Sequence, residues 1–120
     1  MKLLICDDDT MTLRALDFQF KKDGFEIFKA NNGREAQKIL VENNDIGMLI
    51  TDIYMPLMSG LELITYVRKI LQRDIPIVIV SRVYIEETVR HAFELGADSY
   101  LAKPVNLDEL SKRVKHLLEK

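Results

Sequence analysis

Short apolar runs alternate with longer amphipathic stretches along the chain, and this alternation constrains the fold more than any other feature. Apolar runs that end abruptly at polar residues are typical of strands buried on both faces of a sheet. Five such strands separated by helices favour a parallel sheet covered by helices on both sides. The sequence therefore predicts a doubly wound α/β fold, with strands at residues 3–6, 25–29, 48–51, 75–80 and 99–102.

The amphipathic stretches predict five helices. Leu13, Leu16 and Phe20 recur at helical spacing in the first stretch, so one face of that helix is apolar. The last helix has Asn106 or Asp108 near its start as a cap or as a partner of the helix dipole. The same periodicity predicts helices over residues 10–22, 34–42, 61–71, 85–93 and 107–117.

Composition narrows the class of protein. A chain of 120 residues fits one domain, spanning 1–120, and 48% hydrophobic with 30% charged residues is ordinary for a globular fold. The net charge of −2 argues against direct binding of nucleic acid. No apolar run is long enough to span a membrane, and the first residues do not resemble a signal peptide. We therefore expect a cytoplasmic protein.

Polar residues follow four of the predicted strands. Asp7 and Asp8 follow the first strand, Asp52 the third, Ser81 the fourth and Lys103 the fifth. In open α/β sheets, ligands bind beyond the carboxyl ends of the strands. With the strand order 2-1-3-4-5, the first and third strands are neighbours, so the three aspartates are expected to share one pocket.

Three neighbouring carboxylates need a counter-charge, because their mutual repulsion would otherwise raise at least one pKa. Mg²⁺ prefers such oxygen ligands and keeps room for phosphate oxygens. Taken singly, the aspartates are turn or cap residues and Lys103 is a surface lysine. Taken together, a carboxylate nucleophile, a metal and a lysine favour a site that accepts a phosphoryl group.

A longer motif carries a family resemblance. A D-x-x-M-P-x-M-x-G run extends from Asp52 to Gly60, and a Gly-Ala-Asp-Ser-Tyr-Leu-Ala-Lys-Pro run begins at Gly96. With these motifs the chain resembles, from end to end, the response-regulator receiver domains of two-component signalling. The resemblance implies a flavodoxin-like receiver fold. The other matching residues are Asp7, Asp8 and Ser81.

The resemblance also implies a role for each site residue. Asp52 is the expected phosphoacceptor. Asp8 and Asp52 are expected to bind Mg²⁺ directly, together with the backbone carbonyl of Tyr54, while Asp7 acts mainly through water. Lys103 is expected to contact the phosphoryl group. The chain would then be a signalling domain that at most catalyses its own phosphorylation and dephosphorylation.

Further implications concern signalling. The Lys103–Pro104 peptide bond is expected to be cis, which proline permits. Ser81 and Tyr100 match residues that move when the phosphate is present, shifting the surface of the fourth helix, last strand and fifth helix. The implied partners are a sensor histidine kinase or phosphotransfer protein and an unknown output domain or protein. Phosphorylation can also promote formation of a homodimer.

Three positions depart from the family pattern. Arg82 occupies a position that is usually small, so its side chain either overhangs the pocket and hinders phosphodonors or points to solvent. Tyr54 and Val83 replace residues that are often small and polar. We expect these two side chains to hinder the water that hydrolyses the phosphate, which predicts a long-lived phosphorylated state.

Three other functions fit parts of the sequence. The acidic run at 7–9 resembles the start of haloacid-dehalogenase phosphohydrolases, but Met11 stands where that family has Thr or Val. A flavin-binding electron carrier shares the fold but needs a Ser/Thr/Gly-rich phosphate loop. An interaction module that has lost phosphorylation is supported only by Arg82.

Overall fold

The computed structural model describes residues 1–119, and its centre is a five-stranded parallel sheet. The strands are β1 (Lys2–Cys6), β2 (Glu26–Ala30), β3 (Ile46–Thr51), β4 (Ile77–Ser81) and β5 (Ser99–Ala102). Their order in the sheet is β2-β1-β3-β4-β5, and every neighbouring pair is parallel. The predicted doubly wound fold and strand order are therefore confirmed.

Five helices cover the sheet on both faces. The helices are α1 (Thr10–Lys22), α2 (Gly33–Glu42), α3 (Gly60–Thr65), α4 (Glu86–Leu95) and α5 (Leu107–Leu118). Successive side chains of a strand point to opposite faces, so β1 contributes to two separate cores. Leu3 and Ile5 pack with α1 and α5 on one face, whereas Leu4 and Cys6 pack with α2, α3 and α4 on the other. No helix within residues 1–119 has both the length and the apolar character needed to cross a membrane.

Several predicted boundaries were wrong. The helix predicted over 61–71 is α3 followed by a π-helical turn, Tyr66–Ile70. β2 was predicted to begin at Phe25, but it begins one residue later. The Phe25 ring instead packs edge-on against the ring of Phe20, with centroids 5.8 Å apart. β4 was predicted from residue 75 and begins at Ile77. The apolar runs predicted the approximate positions of the strands. The first residue of each strand depends on pairing with its neighbour, which the apolar pattern does not show.

The helix N-termini lie at the same edge of the sheet as the strand carboxyl ends. The Asp9 carboxylate caps α1 by accepting the N–H of Met11 at 3.1 Å. Ser59 and Glu62 form a capping box at the start of α3. Asn106, one of the two predicted candidates, caps α5. These caps fix where each loop ends, and the loops between strand and cap carry the candidate site.

Asp23 joins the end of α1 to α5. Its carboxylate accepts a hydrogen bond from the Ser111 hydroxyl at 2.7 Å and lies 3.3 Å from the Gln19 amide. The Ser111 hydroxyl is the main reason that the pKa of Asp23 lies below its ordinary value. An acid whose pKa is lowered by folding stabilises the folded state above its ordinary pKa, and this stabilisation is lost as the pH falls through the folded pKa.

We predict that Ser111→Ala lowers the free energy of unfolding by about 1 kcal/mol at neutral pH, the usual net value of one hydrogen bond. The deficit should shrink as the pH falls below 3.8, the ordinary pKa of Asp23, because the protonated carboxyl no longer gains from this donor. Urea denaturation across this pH range measures both effects. Lys112→Ala, at an exposed neighbouring position, is the control. A deficit that stays constant with pH would contradict the assignment.

Candidate functional site

The carboxyl ends of β1 and β3 bring three carboxylates together. The parallel register pairs Cys6 with Thr51, and the Asp52 N–H donates to the Cys6 carbonyl at 3.0 Å. Asp7, Asp8 and Asp52 each offer an oxygen, and these oxygens lie within 4.8 Å of one another. The predicted grouping of aspartates is therefore present, and such a cluster can hold a metal ion.

The three carboxylates differ in their exposure to solvent. Asp7 is 2% exposed and Asp52 9%, whereas Asp8 is exposed. The Asp7 carboxylate accepts the N–H of Asp9 at 2.9 Å, yet burial raises the pKa of Asp7 above its usual value. Buried carboxylates held close together favour a bound cation, and their oxygens are the donors that Mg²⁺ prefers. The donor set therefore fits a hard divalent cation.

Lys103 places its ammonium between two of these carboxylates. Its Nζ lies 2.8 Å from Asp7 Oδ2 and 2.9 Å from Asp52 Oδ2. Burial alone would lower the pKa of Lys103, but the hydrogen bonds to both carboxylates outweigh it and leave the pKa raised. The backbone N–H of Lys103 donates to the Ser81 carbonyl at 2.9 Å, and the Lys103–Pro104 peptide bond is cis.

The Asp52 side chain is held by a different donor on each oxygen. Oδ2 accepts from the Lys103 ammonium, and Oδ1 accepts from the backbone N–H of Ile53 at 2.6 Å. These contacts fix the orientation of the carboxylate, which borders a cavity of about 420 Å³. The cavity is lined by Asp8, Asp9, Asp52, Tyr54, Ser81, Arg82, Val83 and Lys103.

Three side chains at this cavity were predicted to modulate rates. Tyr54 is 66% exposed, and Val83 is half-buried. Arg82 is exposed and also lines the cavity, so its position combines the two alternatives left open by the sequence. The cavity lining does not include Asp7 or Tyr100. Asp7 contacts the Lys103 ammonium, and Tyr100 lies in β5, the strand that ends just before Lys103.

The two predicted switch residues meet at Val83. Its N–H donates to the Ser81 hydroxyl at 3.1 Å, and its carbonyl accepts from the Tyr100 hydroxyl. The Tyr100 ring is buried, which raises the pKa of its phenol, and it packs edge-on against Tyr84 with centroids 5.5 Å apart. Ser81 and Tyr100 are therefore linked through the backbone of the loop between β4 and α4.

Gly60 packs directly against the backbone of Asp52. A Cβ at Gly60 would lie 2.0 Å from the Asp52 carbonyl oxygen, closer than any side chain can approach. The Gly60 N–H donates to the Ile53 carbonyl at 2.7 Å. The motif from Asp52 to Gly60 contains this glycine but does not by itself indicate its role. The available signal was a glycine at the start of a helix, directly after a capping serine.

Comparison with known proteins identifies the family. The family model described as "Response regulator receiver domain" matches residues 3–115. The chain belongs to this family. The resemblance found from the motifs is thereby confirmed, and the chain is a receiver domain of the two-component response-regulator type. Phosphohydrolase and flavin-carrier functions receive no support from this match.

Individual relatives agree with the family assignment. "Transcriptional regulatory protein SrrA" of Staphylococcus aureus (strain NCTC 8325 / PS 47) is 34% identical over 119 residues, which cover 99% of this chain and 48% of that protein. The receiver domain thus spans about half the length of this relative. A two-component response regulator from Clostridium difficile superposes with a TM-score of 0.94 at 28% identity, covering 100% of this chain and 97% of that one.

A second solved structure extends the likeness to another organism. The CheY-like receiver domain protein from Methanospirillum hungatei JF-1 has a TM-score of 0.91 at 30% identity, covering 98% of this chain and 93% of that one. Both neighbours support the flavodoxin-like receiver fold with strand order 2-1-3-4-5.

We predict that Gly60→Ala lowers the free energy of unfolding by on the order of 2 kcal/mol or more, because the new methyl group overlaps the Asp52 backbone. Gly47→Ala is the matched control, since its Cβ meets only the flexible side chain of Met1, at 3.0 Å. Urea denaturation compares the two variants. Equal losses in both would show that the Gly60 contact has no special importance.

Proposed function

We propose that this receiver domain is a phosphoacceptor and that Asp52 receives a phosphoryl group from a phosphohistidine of a sensor kinase or phosphotransfer protein. The observation that carries the proposal is the Asp52 carboxylate, oriented by Lys103 and Ile53 and bordering an open cavity. A carboxylate fixed in this way can attack phosphorus without first reorganising its surroundings.

The proposed transfer uses a donor imidazole that carries a proton on its other ring nitrogen, so that neutral imidazole is the leaving group. An Asp52 carboxylate oxygen forms a bond to phosphorus, and the phosphorus–nitrogen bond of the donor breaks. The electron pair of that bond stays on the imidazole nitrogen, and Asp52 becomes an acyl phosphate. The Lys103 ammonium, 2.9 Å from the Asp52 carboxylate, is close enough to stabilise charge on the transferring group.

We propose that Mg²⁺ binds to Asp8, Asp52 and the backbone carbonyl of Tyr54, with Asp7 acting mainly through water. The cluster of carboxylate oxygens supports this ligand set. When bound, the cation supplies positive charge to the phosphoryl oxygens. The protein residues orient the acceptor carboxylate, and the exposed Asp8 lines the same cavity.

We propose that Ser81 responds to phosphorylation by forming a hydrogen bond to the phosphoryl group. The Ser81 hydroxyl accepts from the Val83 N–H and lies beside the Tyr100 hydroxyl, and rotation of its O–H bond would direct the proton to a phosphoryl oxygen. Movement of Ser81 would disturb Val83, whose carbonyl is held by Tyr100. The shift would then pass to the surface formed by α4, β5 and α5.

The proposed output lies outside this domain. A relative named as a transcriptional regulatory protein is about twice as long as the segment it shares with this chain, so an attached output domain is one route. A separate partner protein or a phosphorylation-linked homodimer, formed through α4, β5 and α5, would use the same shifted surface. We propose that the domain acts in the cytoplasm and that any contact with DNA belongs to the output partner.

The central prediction is that Asp52 takes up one phosphoryl group. Incubation with Mg²⁺ and acetyl phosphate, followed by intact mass measurement, should show a single addition in the wild type and none in Asp52→Asn. Removing divalent cations with a chelator should abolish the uptake. A wild type that stays unmodified, even with a cognate kinase, would favour an interaction module that works without phosphorylation.

We also predict that Tyr54 and Val83 prolong the phosphorylated state. Both line the cavity and can obstruct the water that hydrolyses the acyl phosphate. Replacing them with Asn and Ser, respectively, should raise the dephosphorylation rate by roughly tenfold or more, as expected when a water gains access to a general-base or hydrogen-bonding group. The decay of phosphoprotein after donor removal provides the measurement. An unchanged rate in the double variant would refute the obstruction.

A further inference from the structure

Arg82 is a cation at the phosphoacceptor cavity that the proposed chemistry does not use. It follows the last residue of β4 and lines two adjoining cavities. One holds Asp52, and the other is a groove of about 580 Å³ between α1 and the connection from β5 to α5. Within residues 1–119, no hydrogen bond or ion pair holds the Arg82 guanidinium, so the exposed side chain is free to turn towards either cavity.

Charge at the site changes when Asp52 is phosphorylated. Before transfer, the carboxylates of Asp7, Asp8 and Asp52 are balanced by the Lys103 ammonium and a divalent cation. After transfer, the single charge of Asp52 is replaced by a phosphoryl group that carries close to two negative charges. The phosphorylated site is then about one positive charge short.

Apart from Lys103, the other side chains that line the cavity with Arg82 carry no positive charge. Tyr54 and Val83 are neutral. Asp9 lines both cavities, but its carboxylate is committed to the start of α1 through the Thr12 hydroxyl at 2.8 Å and a backbone N–H. These contacts lower the pKa of Asp9, and it forms no ion pair with Arg82. Of the two cationic side chains that line this cavity in the described part of the chain, Lys103 is already paired with carboxylates, so Arg82 is the one available to the phosphoryl group.

We infer that Arg82 contacts the phosphoryl group on Asp52 and stabilises it as a second protein cation beside Lys103, an inference that rests on the proposed phosphorylation. Its planar guanidinium can donate two hydrogen bonds to neighbouring phosphate oxygens. Arg82 lies between Ser81 and Val83 in the chain. Movement of Ser81 towards the phosphate therefore carries the Arg82 backbone in the same direction.

The opposite effect would follow if Arg82 merely covered the cavity. A covering side chain slows phosphorylation by its bulk, so its truncation accelerates the reaction. A contacting side chain accelerates phosphorylation by its charge, so its truncation slows the reaction. Arg82→Met preserves most of the length without the charge, whereas Arg82→Ala removes both, and the two variants together separate charge from bulk.

The test is the rate of phosphorylation by acetyl phosphate with Mg²⁺, followed by intact mass. The reaction joins an Asp52 oxygen to phosphorus and releases acetate, which keeps the electron pair of the broken oxygen–phosphorus bond. Both Arg82→Met and Arg82→Ala should react about tenfold more slowly than the wild type, the loss expected for a charge-assisted hydrogen bond of moderate strength. Arg82→Lys should recover part of the rate.

The dependence of the phosphorylation rate on ionic strength provides a second test, because a purely structural role of Arg82 would not affect it. The advantage of the wild type over Arg82→Met should shrink as ionic strength rises, because the contact is partly exposed. Arg90→Met, which removes an exposed arginine of α4 outside this cavity, should behave as the wild type. Urea denaturation of each variant checks that folding is unchanged.

Two results would overturn the inference while leaving phosphorylation of Asp52 intact. Faster reaction of Arg82→Ala would identify the side chain as a cover, and wild-type rates in both variants would show that it makes no contact. A wild type that takes up no phosphoryl group would instead refute the proposed function, and the role of Arg82 would fall with it.

Discussion

The Lys103 ammonium joins two buried carboxylates, lying 2.8 Å from Asp7 and 2.9 Å from Asp52. Parallel pairing of β1 with β3 forces these carboxylates together, and burial makes their repulsion costly. Lys103 reaches them from the end of β5, the edge strand, so one side chain ties together strands that are not all neighbours. A second cation at the carboxylates would relieve the remaining repulsion, and a phosphoryl group would give both cations a new partner.

Lys103 also connects the sheet to the loop between β4 and α4. The Lys103 N–H donates to the Ser81 carbonyl, so the residue that holds Asp52 is also attached to the end of β4. The following loop is held twice at Val83, by the Ser81 hydroxyl and by Tyr100. A change of charge at Asp52 would therefore act on groups that lie at the start of the loop leading to α4.

Much of this arrangement could be predicted from the sequence, because strand burial and strand ends leave direct signals. The apolar runs indicated where the strands lie, and the polar residues that follow them in the chain indicated where the site lies. Features set by tertiary contact were missed. The role of Gly60 depends on the approach of the Asp52 backbone. Val83 links Ser81 to Tyr100 through main-chain atoms that every residue type except proline possesses, so its identity gives no signal. Whether Arg82 turned towards the cavity also depended on the path of its loop.

The most direct test of the account is to locate the phosphoryl group chemically. Borohydride reduces an acyl phosphate of aspartate to homoserine, so treatment of the phosphorylated protein followed by peptide mass mapping marks the acceptor residue. The account predicts homoserine at position 52 alone, with its yield matching the extent of phosphorylation. Homoserine at Asp7 or Asp8, or a phosphoryl group that resists reduction and resides on a histidine, would contradict it.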